Sequence, residues 1–158
     1  MLDQCAWLDA LDVDAARVYF SEHHGSEDGG SPSPIVVASA VAARTRRLAI
    51  TVGAILAPLY HPIRLAEDLA VLDLVSGGRL TVILAAGYRD ADRVLLGVEP
   101  VDRPGRVEEA VATLSRAWSG SIRVTGPPRG RDTSSATAPA PAHLPRRVLR
   151  RDGPAVRR

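Results

Sequence analysis

The chain has 158 residues, 46% hydrophobic and 24% charged, with a formal net charge of +2. That length predicts one domain with a buried core and falls short of the roughly 250 residues of a complete eight-stranded α/β barrel. No apolar run reaches the about 18 residues of a membrane span, Met1-Leu2-Asp3-Gln4 lacks a signal-peptide pattern, and the single Cys5 excludes an internal disulfide and a cysteine-based metal cluster; the expectation is a cytoplasmic protein with no membrane partner.

The first segment, Asp3 to Leu11, spaces Ala6, Trp7, Ala10 and Leu11 as a helix does, with Cys5 as a small apolar residue within it. After the turn Asp12-Val13-Asp14, the run Ala15 to Phe20 has the length of a strand and stops at Ser21-Glu22-His23-His24. A Gly/Ser/Pro loop follows, from Gly25 to Pro34. Pro34 suits the first turn of a helix through Ile35, Ala38, Val41 and Ala42 to Arg44. Leu48 to Ala54 is β-branched and apolar on both faces, the pattern of a parallel strand covered by helices.

Pro62 opens a helix with Ile63, Ala66, Leu69 and Ala70 on its apolar face, closed by Ser76-Gly77-Gly78. His61 reads as a capping residue, and Asp73 as solvated or paired with Arg79. Arg79 to Ala85 is a third strand, running into Ala86-Gly87-Tyr88 and a polar loop. Arg103 to Trp118 is a helix, with Val107, Ala110, Val111, Leu114 and Trp118 on one side. Strict alternation of strand and helix predicts a parallel α/β sheet, either part of a barrel or an open doubly wound sheet.

From Gly126 the pattern stops. Residues 126–158 hold eight Arg and two Asp, whereas residues 1–125 hold 12 Arg and 16 acidic residues, and there is no lysine anywhere. Arginine, proline and alanine dominate the tail, and Val148 and Leu149 are too few to order it, so disorder is expected there. Without interleaved aromatic residues or a recognition helix, the tail does not predict a nucleic-acid partner.

Unusual residues cluster after the strands: Glu22-His23-His24, Gly53-Ala54, and Ala86-Gly87-Tyr88. Sites in parallel α/β folds form at the carboxyl ends of strands. A strand-end histidine suits proton exchange near neutral pH, and at most one of two adjacent histidines faces the mouth if the strand continues. Metal ligation is the rival, but no third ligand stands at a recognised spacing. A histidine that only bonds backbone is the plainest alternative. Gly53-Ala54 admits either a flat ring or simple core packing. Ala85-Ala86-Gly87 lacks a dinucleotide fingerprint.

Three blocks carry a family resemblance. The first is Ser21-Glu22-His23-His24, with Pro34, the helix to Ala43-Arg44-Thr45, and Arg47-Leu48. The second runs from Pro58 to Asp68. The third is Leu72-Asp73-Leu74-Val75-Ser76-Gly77-Gly78-Arg79-Leu80. In this order and spacing, the sequence resembles the bacterial luciferase-like monooxygenase family over roughly residues 1–120. The resemblance implies an α/β fold that is a partial TIM (β/α)8 barrel over residues 1–125, with a disordered tail over 126–158. It implies reduced FMN or a reduced deazaflavin at the barrel mouth, and oxidation of a small organic substrate with O2, or hydride transfer in the deazaflavin case. His23 takes the place of the family's proton-transferring histidine. Glu22, Gly53, Ala54, Ala86, Gly87 and Tyr88 take cofactor-side positions, and no metal is implied. The Gly53-Ala54 bond falls where the family often has a strained, sometimes cis, non-proline peptide.

The sequence departs from the family pattern in three ways. Ala86 stands where the luciferase branch has a phosphate-binding arginine. The usual first strand and the later half of the barrel have no counterpart. The tail begins where the family would continue, as in a shifted reading frame. The expectation is therefore an N-terminal fragment, weakly active or inactive alone. Its open sheet edges invite homo- or hetero-oligomers. The alternative is a non-catalytic half-barrel acting as a partner subunit.

Overall fold

Three segments, Arg17–Phe20 (β1), Ala49–Leu56 (β2) and Leu80–Ala85 (β3), pair in parallel. They belong to a computed structural model that describes residues 1–11, 13, 16–27, 30–98, 102–120 and 148–150. The helices are α1 (Leu2–Ala10), α2 (Pro34–Arg44), α3 (Pro62–Ser76), α4 (Asp90–Leu95) and α5 (Arg103–Trp118). Parallel strands alternate with helices, as the sequence pattern predicts.

Register explains the core. Val18, Ile50 and Leu80 form one row across the sheet, and Phe20, Val52 and Val82 the next. Side chains alternate across a strand, so these rows share a face. They pack in one cluster with Val41 of α2, Leu65, Leu69 and Leu72 of α3, and Leu114 of α5. Each fully buried Leu, Ile or Val contributes about 1.5–3 kcal/mol of transfer free energy. Trp118 adds a directional tie, its indole N–H donating to the Ala66 carbonyl at 3.1 Å.

The opposite face carries Arg17, Tyr19, Thr51 and Thr81. Arg17 Nη1 donates to Thr51 Oγ1 at 2.8 Å and Thr81 Oγ1 at 3.2 Å, crossing the strands near their amino ends. Tyr19 remains 53% exposed on this face.

Two polar anchors fix the loops entering β2 and β3. Asp9 accepts from the backbone N–H groups of Arg46, Arg47 and Leu48 at 2.8, 2.8 and 2.6 Å. Burial alone would raise its pKa; the three N–H donors and the Arg79 charge outweigh that and hold it below the ordinary carboxylate value. Arg79 donates to the carbonyls of Ser76, Leu48, Ala42 and Thr45 and to Thr45 Oγ1, at 2.6 to 3.0 Å.

Several expectations change. In α1 the buried residue is Cys5, while Trp7 is 65% exposed, so the predicted apolar stripe points the wrong way. The polar loop after β3 contains α4, whose Val94 and Leu95 are exposed; a helix that buries no apolar face leaves no periodic signal. Asp73 is buried, which removes its solvated reading. His61 stands at the N-cap of α3, but its side chain makes no capping hydrogen bond. Val148–Arg150 forms a fourth strand, β4, parallel to β3, so Val148 and Leu149 do take part in an element. The edge of β3 offers the unpaired backbone groups that such a strand completes. The rest of the expected tail, from 126, lies outside the described residues. No helix among the described residues is long and apolar enough to cross a membrane.

Candidate active site at the strand ends

The carboxyl ends of β1 and β2 meet through one buried carboxylate. Glu22 follows β1 and is 4% exposed. Its Oε2 accepts from the Leu56 backbone N–H at 2.7 Å, and its Oε1 accepts from the Tyr60 hydroxyl at 2.7 Å. His24 Nε2 lies 2.8 Å from the same Oε1. A buried carboxylate needs such donors, because desolvation otherwise disfavours its charge. Burial, the hydrogen bond to Glu22 and the Glu22 charge push the Tyr60 phenol well above its ordinary pKa.

Both carboxylate oxygens have partners within the protein, so Glu22 ties the strand ends together. His23 lies between two residues whose side chains meet. Its backbone N–H donates to the Ser31 carbonyl at 2.9 Å. The half-buried imidazole takes no hydrogen bond among the described residues.

The Gly53–Ala54 peptide is cis, as the resemblance implied. It lies within a β-bulge: Val52 pairs with Val82 and Ile55 with Leu84, so three steps along β2 match two along β3. The bulge returns Ile55 to the buried face. The structure assigns Gly53 a packing reason. A Cβ there would lie 2.6 Å from Ile83 Cβ, so β3 leaves no room for a side chain at this position. Ala54 and Ala86 remain half-buried small residues at the strand ends. Gly87 has φ of +72°, a conformation that favours glycine, and a Cβ there would make only ordinary contact with Leu56. Tyr88 is 82% exposed.

Sequence reasoning missed the partners of Glu22. Tyr60 lies in the second resemblance block and could have been singled out there. The Leu56 N–H leaves no mark in a sequence. Among the described residues, no three His, Cys, Asp or Glu gather where they could hold a metal ion. A larger open groove of about 550 Å³ lies between α2 and α3, lined by Val36, Ser39, Arg64 and Val71 among others.

The sequence profile of the family described as luciferase-like monooxygenase matches residues 15–149. The chain belongs to the luciferase-like monooxygenase family. It is 32% identical over 124 residues to 4-hydroxyprotoasukamycin monooxygenase of Streptomyces nodosus subsp. asukaensis, covering 78% of this chain and 33% of that protein. It is 27% identical over 128 residues to the oxygenase component of the flavin-dependent trigonelline monooxygenase of Acinetobacter baylyi, covering 80% and 35%. The crystal structure of a monooxygenase from Streptomyces bottropensis superposes with a TM-score of 0.73 at 29% identity, over 94% of this chain and 46% of that one. This luciferase-like chain thus spans about a third of the length of these two curated relatives. The family match ends within β4.

Proposed function

We propose that this chain supplies part of a reduced-flavin site in a luciferase-like monooxygenase acting on a small organic substrate, with reduced FMN as the cofactor. The observation that carries the reading is the junction at Glu22. It locks the ends of β1 and β2 together, with His23 between the two residues whose side chains meet.

Reduced flavin, when bound, supplies two electrons to O2, one oxygen atom entering the substrate and the other leaving as water. The residues present fit a flat ring beside small side chains. Ala54, Ala86 and Gly87 offer a low surface at the strand ends, and the exposed ring of Tyr88 offers an apolar wall. An imidazole nitrogen of His23 holds and moves the proton, since histidine exchanges protons near neutral pH. Glu22, Tyr60 and His24 position that segment. A relative named as flavin-dependent supports the cofactor class.

Anaerobic titration tests this, with reduced FMN and a reduced deazaflavin measured in parallel. Saturable binding of FMN that is lost in Ala86→Leu, with the fold intact by circular dichroism, supports the site. Binding of the deazaflavin alone moves the assignment to hydride transfer. Absence of saturable binding by either sinks the reading. His23→Ala is expected to leave binding in place and remove turnover.

A second reading rests on the exposed Tyr19 face and the outer edge of β1. There the chain pairs with further strands of another subunit and does no chemistry alone. Sedimentation of the pure protein separates the two: a discrete oligomer without flavin binding favours the second.

A further inference from the structure

The short helix α4 has six residues, and the one it buries is Asp92; its Val94 and Leu95 are exposed. A helix of that length does not hold itself together in water, because so few hydrogen bonds do not repay the residues they fix. Contacts outside the helix order it. One lies toward α5, where Arg103 pairs with Asp90. Two others lie toward the end of β1. Arg89, at the N-cap of α4, donates from Nη1 to the His24 carbonyl at 3.3 Å, and the same atom lies 3.5 Å from the Asp92 carboxylate. Leu95 Cδ2 stands 3.2 Å from where a Cβ on Gly25 would lie, so Leu95 comes close over this glycine.

His24 and Gly25 directly follow His23. On the other side of the histidine, Glu22 is fixed by the Leu56 backbone and Tyr60. Gly25 turns the chain with φ of +53° and opens the Gly/Ser/Pro loop, whose composition offers little apolar hold of its own. The contacts from α4 supply a hold at this outer end. A side chain that transfers protons works only where its surroundings keep it in place, within a fraction of an ångström of the reacting geometry.

We propose that α4 is a latch on the His23 segment, and that Arg89 and Leu95 are positioning residues for the His23 imidazole. They act through the His24 carbonyl and through Gly25. The chemical role of the imidazole rests on the flavin reading above, whereas the latch rests on contacts within the chain.

Hydrogen exchange followed by NMR on the full chain tests the latch. The His23 backbone N–H, bonded to the Ser31 carbonyl, is expected to exchange about tenfold faster in Arg89→Met and in Leu95→Ala, while the N–H groups of Ile50 and Val52 in β2 keep their rates. The ring signal of His23, assigned with His23→Gln, is expected to shift in both variants and to return in Leu95→Met, which restores the apolar reach. Val94→Ala, an exposed position of the same helix, serves as the control and changes neither reading. Rates and ring signals equal to wild type in Arg89→Met and Leu95→Ala overturn the proposal. So does an acceleration at His23 matched by the same factor in β2, which reports general loosening. Reduced FMN is expected to slow His23 exchange in the wild type and to slow it less in both variants. No slowing by reduced FMN in the wild type, with both variants still fast, defeats the flavin reading and keeps the latch.

Discussion

The Tyr60 hydroxyl and the Glu22 carboxylate lie 2.7 Å apart, joining the segment after β2 to the end of β1. Glu22 takes its other donors from His24 and the Leu56 backbone, so Tyr60 supplies one of three contacts to a buried charge.

Tyr60→Phe leaves that carboxylate a donor short and is expected to destabilise the fold by about 1–3 kcal/mol. The pH dependence has a definite sign. The folded phenol has a raised pKa, so its contribution is whole below the unfolded value near 10 and is lost as pH rises beyond it. Urea unfolding at pH 8 and pH 10.5 checks this: the gap between wild type and Tyr60→Phe narrows at the higher pH. A gap that widens contradicts the assignment.

Asp9→Asn tests the acid side. The folded Asp9 carboxyl titrates below its unfolded value of about 4. Its contribution is therefore present above that pH and disappears as pH falls through the lower folded value. The variant is expected to be less stable than wild type at pH 7, with the difference shrinking toward pH 2.5. A difference that stays constant over that range rules out the carboxylate as its origin.

Gly53→Ala adds a Cβ 2.6 Å from Ile83 Cβ and 3.3 Å from the Ile83 carbonyl oxygen. Overpacking of this kind costs about 1–3 kcal/mol. Ile83→Ala retains the colliding Cβ and is expected not to rescue the variant. A double-mutant cycle by thermal melting reads the coupling directly. Full rescue by Ile83→Ala shows that the backbone moved and that the packing reason is wrong.

Arg79→Lys keeps the charge and loses the fork. Lysine cannot reach carbonyls on α2, α3 and the turn before β2 together, so several acceptors lose their donor. The expected destabilisation is at least about 2 kcal/mol. Denaturant midpoints within error of wild type would show that the fork adds nothing.

Local signals determined much of this protein. Apolar spacing gave α2, α3 and α5 with their ends, because a helix face and its cap are encoded within a few neighbouring residues. The composition of the second strand announced burial on both sides, and strict alternation placed Glu22-His23, Gly53-Ala54 and Gly87 at one end of a parallel sheet. The short α4 buries no apolar face and so left no period to read. Tertiary structure alone decided which partners the site residues meet. Glu22 meets partners 34 and 38 residues away, and Gly53 faces Ile83 across a bulge that shifts the register by one. Such contacts depend on how strands align once paired, and no residue's own chemistry specifies that alignment.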